Sequence, residues 1–125
     1  MISELEQAIN ARCHLFDSDH TTAFRLFSGF YEGSVDVVVD VYARTLLLWG
    51  YGEDVESMET TLQEVRRFCL QHLPWVTCVI QKQRSAQDRL RQRGVITYGQ
   101  QPAEKIKEHG LWYVIDLTLN QDASF

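Results

Sequence analysis

Residues 24–51 read FRLFSGFYEGSVDVVVDVYARTLLLWGY, and the rest of the chain has to pack around them. From 35 to 42 the side chains alternate: Val37, Val39 and Val41 fall on one face, and Asp36, Asp40 and Tyr42 share the other. That two-residue period predicts a half-buried strand. Ala43 and Arg44 then make a short turn into residues 45–51, where leucines and aromatics occupy both faces. A strand of that kind must be covered on both sides, by a helix, by more chain or by a partner.

Toward the N-terminus, Ile2, Leu5, Ile9, Cys13 and Phe16 recur at three- and four-residue spacing, one stripe of an amphipathic leading helix that should end near Asp17. The DSDHTT segment that follows suits an ordered loop into a short strand over 25–27. After Gly52 the period becomes helical through Val55, Met58, Leu62, Val65, Cys69 and His72, with Asp54 as N-cap and Pro74 as the stop. Residues 75–81, WVTCVIQ, read as a buried strand, and 95–98 as a short one. Residues 105–108 and 111–117 would pair as a hairpin about His109-Gly110. The order predicts an α+β fold: a mixed, mostly antiparallel sheet with two main helices packed on it.

At 125 residues the chain is one domain's worth, a leading helix over 1–17 and an α+β core over 18–125, able to bury a core without disulfides or metal. A net charge of -5 argues against a generic polyanion binder, but it averages over surfaces. Residues 82–93, KQRSAQDRLRQR, hold Lys82, Arg84, Arg89, Arg91 and Arg93 against Asp88 alone, a local +4 that leaves -9 to the other 113 residues. Guanidinium forks suit RNA phosphates. A solvated loop has the same composition, and the sequence leaves both open. Phe30, Tyr31, Trp49 and Tyr51 would stack bases if exposed and serve the core if not.

Other chemistry finds less support. Nothing makes Asp17, Asp19, Asp36 and Asp40 converge on a metal; Asp36 and Asp40 stand about 13 Å apart by strand rise, so these acids read as caps and a solvated face. Cys69 and His72, with Cys78, have a possible ligand spacing, yet Cys69 falls in an apolar stripe where free cysteine acts as a small hydrophobe. His14 and His20 flank no nucleophile, and no glycine-rich loop of the dinucleotide or P-loop kind stands out, so no catalytic and no metal-binding residue is expected. Three cysteines at unrelated spacings, with no signal peptide or long apolar run, predict a reduced, cytoplasmic protein.

Two stretches carry a family resemblance. RLFSGFYEGSVDVVVDVY resembles the RL-x-NG-x-x-DG-LPGL-VVD-x-Y segment of the S-adenosylmethionine-dependent large-subunit rRNA cytosine methyltransferases, through Arg25, Leu26, Gly29, Gly33, Val38, Val39, Asp40 and Tyr42. EHGLWYVIDLTLNQDASF resembles the segment that leads into their catalytic Rossmann domain, through Glu108, Gly110, Val114, Asp116, Leu117, Gln121 and Phe125. Ser28, Glu32 and the Ser34-Val35-Asp36 run depart from the pattern, as do Asp122, Ala123 and Ser124. The resemblance implies an accessory domain, catalytically silent alone, that presents RNA to its own or a separate methyltransferase domain. It implies S-adenosylmethionine in the parent enzyme and none held by this chain alone, with Gln121, Ser124 and Phe125 at the edge of the cofactor pocket. The family's Pro-Cys nucleophile is matched by none of Cys13, Cys69 and Cys78. The competing expectation is a protein-interaction or homodimerisation module that buries residues 45–51 against another chain.

Overall fold

The computed structural model describes residues 2–29, 37–52, 54–83 and 94–117. At its centre, β2 (Val37–Tyr42) and β3 (Thr45–Gly50) pair antiparallel. Their Ala43-Arg44 turn holds Ala43 at a φ of 57°, a left-handed backbone uncommon outside glycine. β1 (Ala23–Ser28) joins the outer side of β2, with a bulge between Arg25 and Phe27. That irregularity lets Leu26 and Phe27 both reach the same core. β4 (Cys78–Gln83) runs parallel to β3, and β5 (Val95–Tyr98) closes the order β1-β2-β3-β4-β5.

A parallel pair needs a crossover, and α2 (Val55–His72) supplies it between β3 and β4. The Asp54 carboxylate accepts the Glu56 and Ser57 backbone N–H groups at 3.1 and 3.5 Å, so α2 starts where the sequence signals it. The leading helix α1 (Ile2–Arg12) is shorter than its apolar stripe predicts, and residues 13–15 form a 3-10 turn. Cys13 is exposed, while Phe16 turns aside to pack on Phe24 and Trp75, with ring centroids 5.3 and 5.1 Å away. The same aromatic group keeps Trp75 in a turn, so β4 begins at Cys78 rather than at 75.

Both helices lie on one face of the sheet. Leu5 and Ile9 of α1, with Met58, Leu62, Val65 and Cys69 of α2, pack there on Val37, Val39, Val41, Leu46, Leu48 and Val79. The opposite face is covered by a hairpin of β6 (Lys105–Glu108) and β7 (Leu111–Val114), a separate two-stranded sheet. His109 and Gly110 form its turn with φ of 52° and 79°, the doubly left-handed geometry that such two-residue turns require. The hairpin and the residues after it bring Ile106, Ile115 and Leu117 against Val38, Tyr42, Leu47, Trp49, Cys78 and Ile80. Backbone bonds fix it: Lys107 N–H donates to Thr21 O at 2.8 Å, and Ala103 N–H to the buried Thr45 hydroxyl at 2.8 Å.

This cover corrects the expected half-buried strand. All six residues of β2 are buried, as are all six of β3, because helices close one face and the hairpin the other. The doubly apolar β3 is thus covered by its own chain on both sides. Among the described residues, no helix is long and apolar enough to cross a membrane.

Candidate nucleic-acid interface

The hairpin face of the sheet carries charge that the helix face lacks. Register places Arg25 of β1 opposite Asp40 of β2. The arginine donates from Nε to Asp40 Oδ1 at 2.8 Å and from Nη2 to Oδ2 at 3.3 Å, and the Trp49 indole N–H donates to Oδ2 at 3.2 Å. Trp49 pairs in turn with Lys82 of β4, whose ammonium lies 4.9 Å from the ring centroid. A diagonal row, Arg25, Asp40, Trp49, Lys82, therefore crosses four strands.

Its two ends differ. The Asp40 side chain is 8% exposed and that of Arg25 55%, so a buried carboxylate anchors a half-exposed guanidinium. The hydrogen bond to Asp40 outweighs partial burial and holds the arginine's pKa above its usual value. Arg25 lines a shallow cleft with Ala23, Phe24, Asp40 and Tyr42. Lys82, expected to face RNA, is fully buried. Strand parity turns it onto Trp49, and its stem packs so close to Gly94 that a Cβ there would lie 3.1 Å from Lys82 Cε. Asp40, expected on a solvated face, is 6% exposed for the same reason: its face is covered.

Pairing of Val37 with Gly50, and of Gly50 with Gln83, puts the ends of β3 and β4 and the start of β2 at one edge. β4 ends at that edge with Gln83. Arg84, Arg89, Arg91 and Arg93 lie outside the described residues, as do Phe30, Tyr31, Asp36, Gln121, Ser124 and Phe125. Trp49, weighed as a base-stacking residue, is buried, and Tyr51 stacks on it with centroids 6.1 Å apart.

The weaker alternatives dissolve on inspection of their partners. Asp17 caps its own loop, accepting the Thr21 backbone N–H at 3.0 Å and hydroxyl at 2.8 Å. Burial pushes the Cys69 thiol up to about 12, while His72 is exposed and stacked on Phe68, so the two do not share a site. No group of three or more candidate ligands that could hold a metal ion occurs among the described residues.

One feature passed over in the sequence is the Gly50-Tyr51-Gly52 turn between β3 and α2, the position where Rossmann-type folds cradle a nucleotide-like cofactor. The residues do not fit that use. A Cβ on Gly50 would lie 2.5 Å from Met58 Cγ, so the glycine admits the helix rather than a ligand, and Gly52 N–H donates to Met58 Sδ at 3.3 Å. The N-terminus of α2 is already occupied by the Asp54 carboxylate. The Gly50-Tyr51-Gly52 turn is therefore packed by the helix itself.

No protein-family profile matches the chain. Over 61 residues it is 38% identical to YwbD of Bacillus subtilis (strain 168), a protein named as a candidate ribosomal RNA large subunit methyltransferase. A candidate SAM-dependent methyltransferase from Streptococcus mutans superposes on 98% of the chain with a TM-score of 0.71 at 24% identity. SMU.776, a candidate methyltransferase solved as a complex with SAH, superposes on 94% with a TM-score of 0.73, also at 24% identity. The chain is thus similar in sequence to a protein named for rRNA methylation and shares its fold with part of SAM-dependent methyltransferase chains. It spans 15% of the length of YwbD and 30% and 29% of the two structures.

Proposed function

We propose that this chain is an RNA-presenting accessory domain of a SAM-dependent methyltransferase that modifies cytosine C5 in large-subunit rRNA, and that it is not catalytic by itself. The similarity to YwbD carries the reading. In this reading the methyltransferase domain, joined or separate, is the partner that holds S-adenosylmethionine, with Gln121, Ser124 and Phe125 bordering its pocket. Arg84, Arg89, Arg91 and Arg93 supply phosphate contacts, and Arg25, held by Asp40, adds one from the sheet face. A cytoplasmic setting goes with that substrate.

The test is titration of a labelled large-subunit rRNA fragment at low salt. Binding should weaken linearly in log affinity against log salt, and replacement of Arg84, Arg89, Arg91 and Arg93 by Gln should abolish most of it. A wild-type chain that leaves the RNA free at low salt ends the RNA-presenting reading.

A further inference from the structure

The hairpin that covers the sheet has an outer face of its own. Ile106 is buried against the sheet, so by strand parity Lys105 and Lys107 point the other way. Register sets Lys105 opposite Val114 and Lys107 opposite Trp112, which places all four on the outer face. Glu108, opposite Leu111, belongs to the inner parity with Ile106, so the outward residues of the two strands are Lys105, Lys107, Trp112 and Val114. Val114 is 89% exposed and Trp112 51%, an unusual display of large apolar side chains on so short an element. The Lys105 and Lys107 ammonium groups lie 4.6 and 5.8 Å from the Trp112 ring centroid.

We propose that this outer face binds single-stranded RNA, a base stacking on Trp112 while Lys105 and Lys107 hold the flanking phosphates. The proposal rests on the RNA-presenting reading and gives it a second contact, distinct from the basic segment at 84–93. A flat indole with ammonium groups 4.6 and 5.8 Å from its centroid matches a ligand that alternates π-faces with anionic groups. A second copy of the chain matches it poorly. A two-fold contact centred on these four residues would set Lys105 and Lys107 against their own copies, with no acid among the four to pair them.

The test measures anisotropy of a labelled oligouridine with the full chain. Trp112→Ala should weaken binding by about tenfold, in line with the stacking contribution of one base, and Trp112→Phe should recover most of it because a phenyl ring still stacks. Lys105→Gln with Lys107→Gln should lower the slope of log affinity against log salt by about 1.4, from about 0.7 per phosphate contact on single strands. Trp112 is half-exposed, so the variants should melt like the wild type; circular dichroism checks that. Wild-type affinity in Trp112→Ala, with an unchanged salt slope in the double lysine variant, overturns the hairpin site but leaves the basic-segment reading standing. Loss of binding by the wild type itself overturns both. A change in sedimentation mass on Trp112→Ala, with RNA affinity intact, assigns the face to a protein instead and equally overturns the proposal.

Discussion

The two faces of the five-stranded sheet are covered by different means. On the helix side, Val37, Val39, Val41, Leu46, Leu48 and Val79 meet α1 and α2 in an apolar core, with uncharged Gln81 and Gln83 of β4 buried on the same face. On the hairpin side, the apolar contacts of Val38, Leu47 and Ile80 are crossed by the Arg25, Asp40, Trp49 and Lys82 row. Apolar burial of the first kind stabilises without directional demands. A buried carboxylate and ammonium of the second kind contribute little net stability and need specific partners. The difference sets undirected apolar packing on one face against charged, directional contacts on the other.

The largest effect should come from the helix side. Leu62 is fully buried, and Leu62→Ala should cost about 3 kcal/mol through lost transfer energy and a residual cavity. Urea unfolding measures it, and RNA affinity of the folded fraction should stay at the wild-type value. A loss below about 1 kcal/mol would mean that the helix face is not the main core.

On the hairpin side, Asp40→Ala removes the acceptor of three hydrogen bonds, one of them from the buried Trp49 indole. Water can serve the half-exposed Arg25, so the expected loss is about 2 kcal/mol, mostly from the indole. The freed arginine should also weaken RNA binding, which Leu62→Ala should not do. Equal effects of the two substitutions on affinity would erase the contrast between the faces.

A smaller effect tests the hairpin's anchorage. Thr21, whose carbonyl accepts Lys107 N–H, is held by the Asp17 carboxylate. Partial burial would raise the Asp17 pKa, but bonds from Thr21 and Thr22 outweigh it and hold it below the ordinary carboxylate value. A depressed carboxyl pKa adds stability that is present above its ordinary value and lost as pH falls through the lower folded one. Below about pH 4, the wild type should therefore lose melting temperature faster than Asp17→Asn, and the Lys107 amide should exchange faster in Asp17→Ala at neutral pH. Parallel acid profiles for wild type and Asp17→Asn would remove Asp17 as the anchor.

Much of this architecture is legible in the order of residues because its signals are local. Alternation at 37–42, the Asp54 cap, Pro74 after α2 and the His109-Gly110 turn each act within a few residues, and each has its counterpart in the structure. What covers a strand is not local. The hairpin that covers the Asp40 face of the sheet lies more than sixty residues beyond Asp40, and no alternation within 37–42 could announce it. The same holds for the Arg25 and Asp40 pair, which depends on register across β1 and β2 after a bulge. Trp112 beside its lysines was visible only as strand composition, since KIKE and LWYV become one charged aromatic face once their pairing is fixed.

The most direct measurement is a backbone amide NMR titration of the full chain with single-stranded RNA, read by face. The account predicts shift changes over β6, β7, Arg25 and residues 84–93, with α1 and α2 unmoved. Changes concentrated on α1 and α2, or none anywhere at low salt, would contradict it.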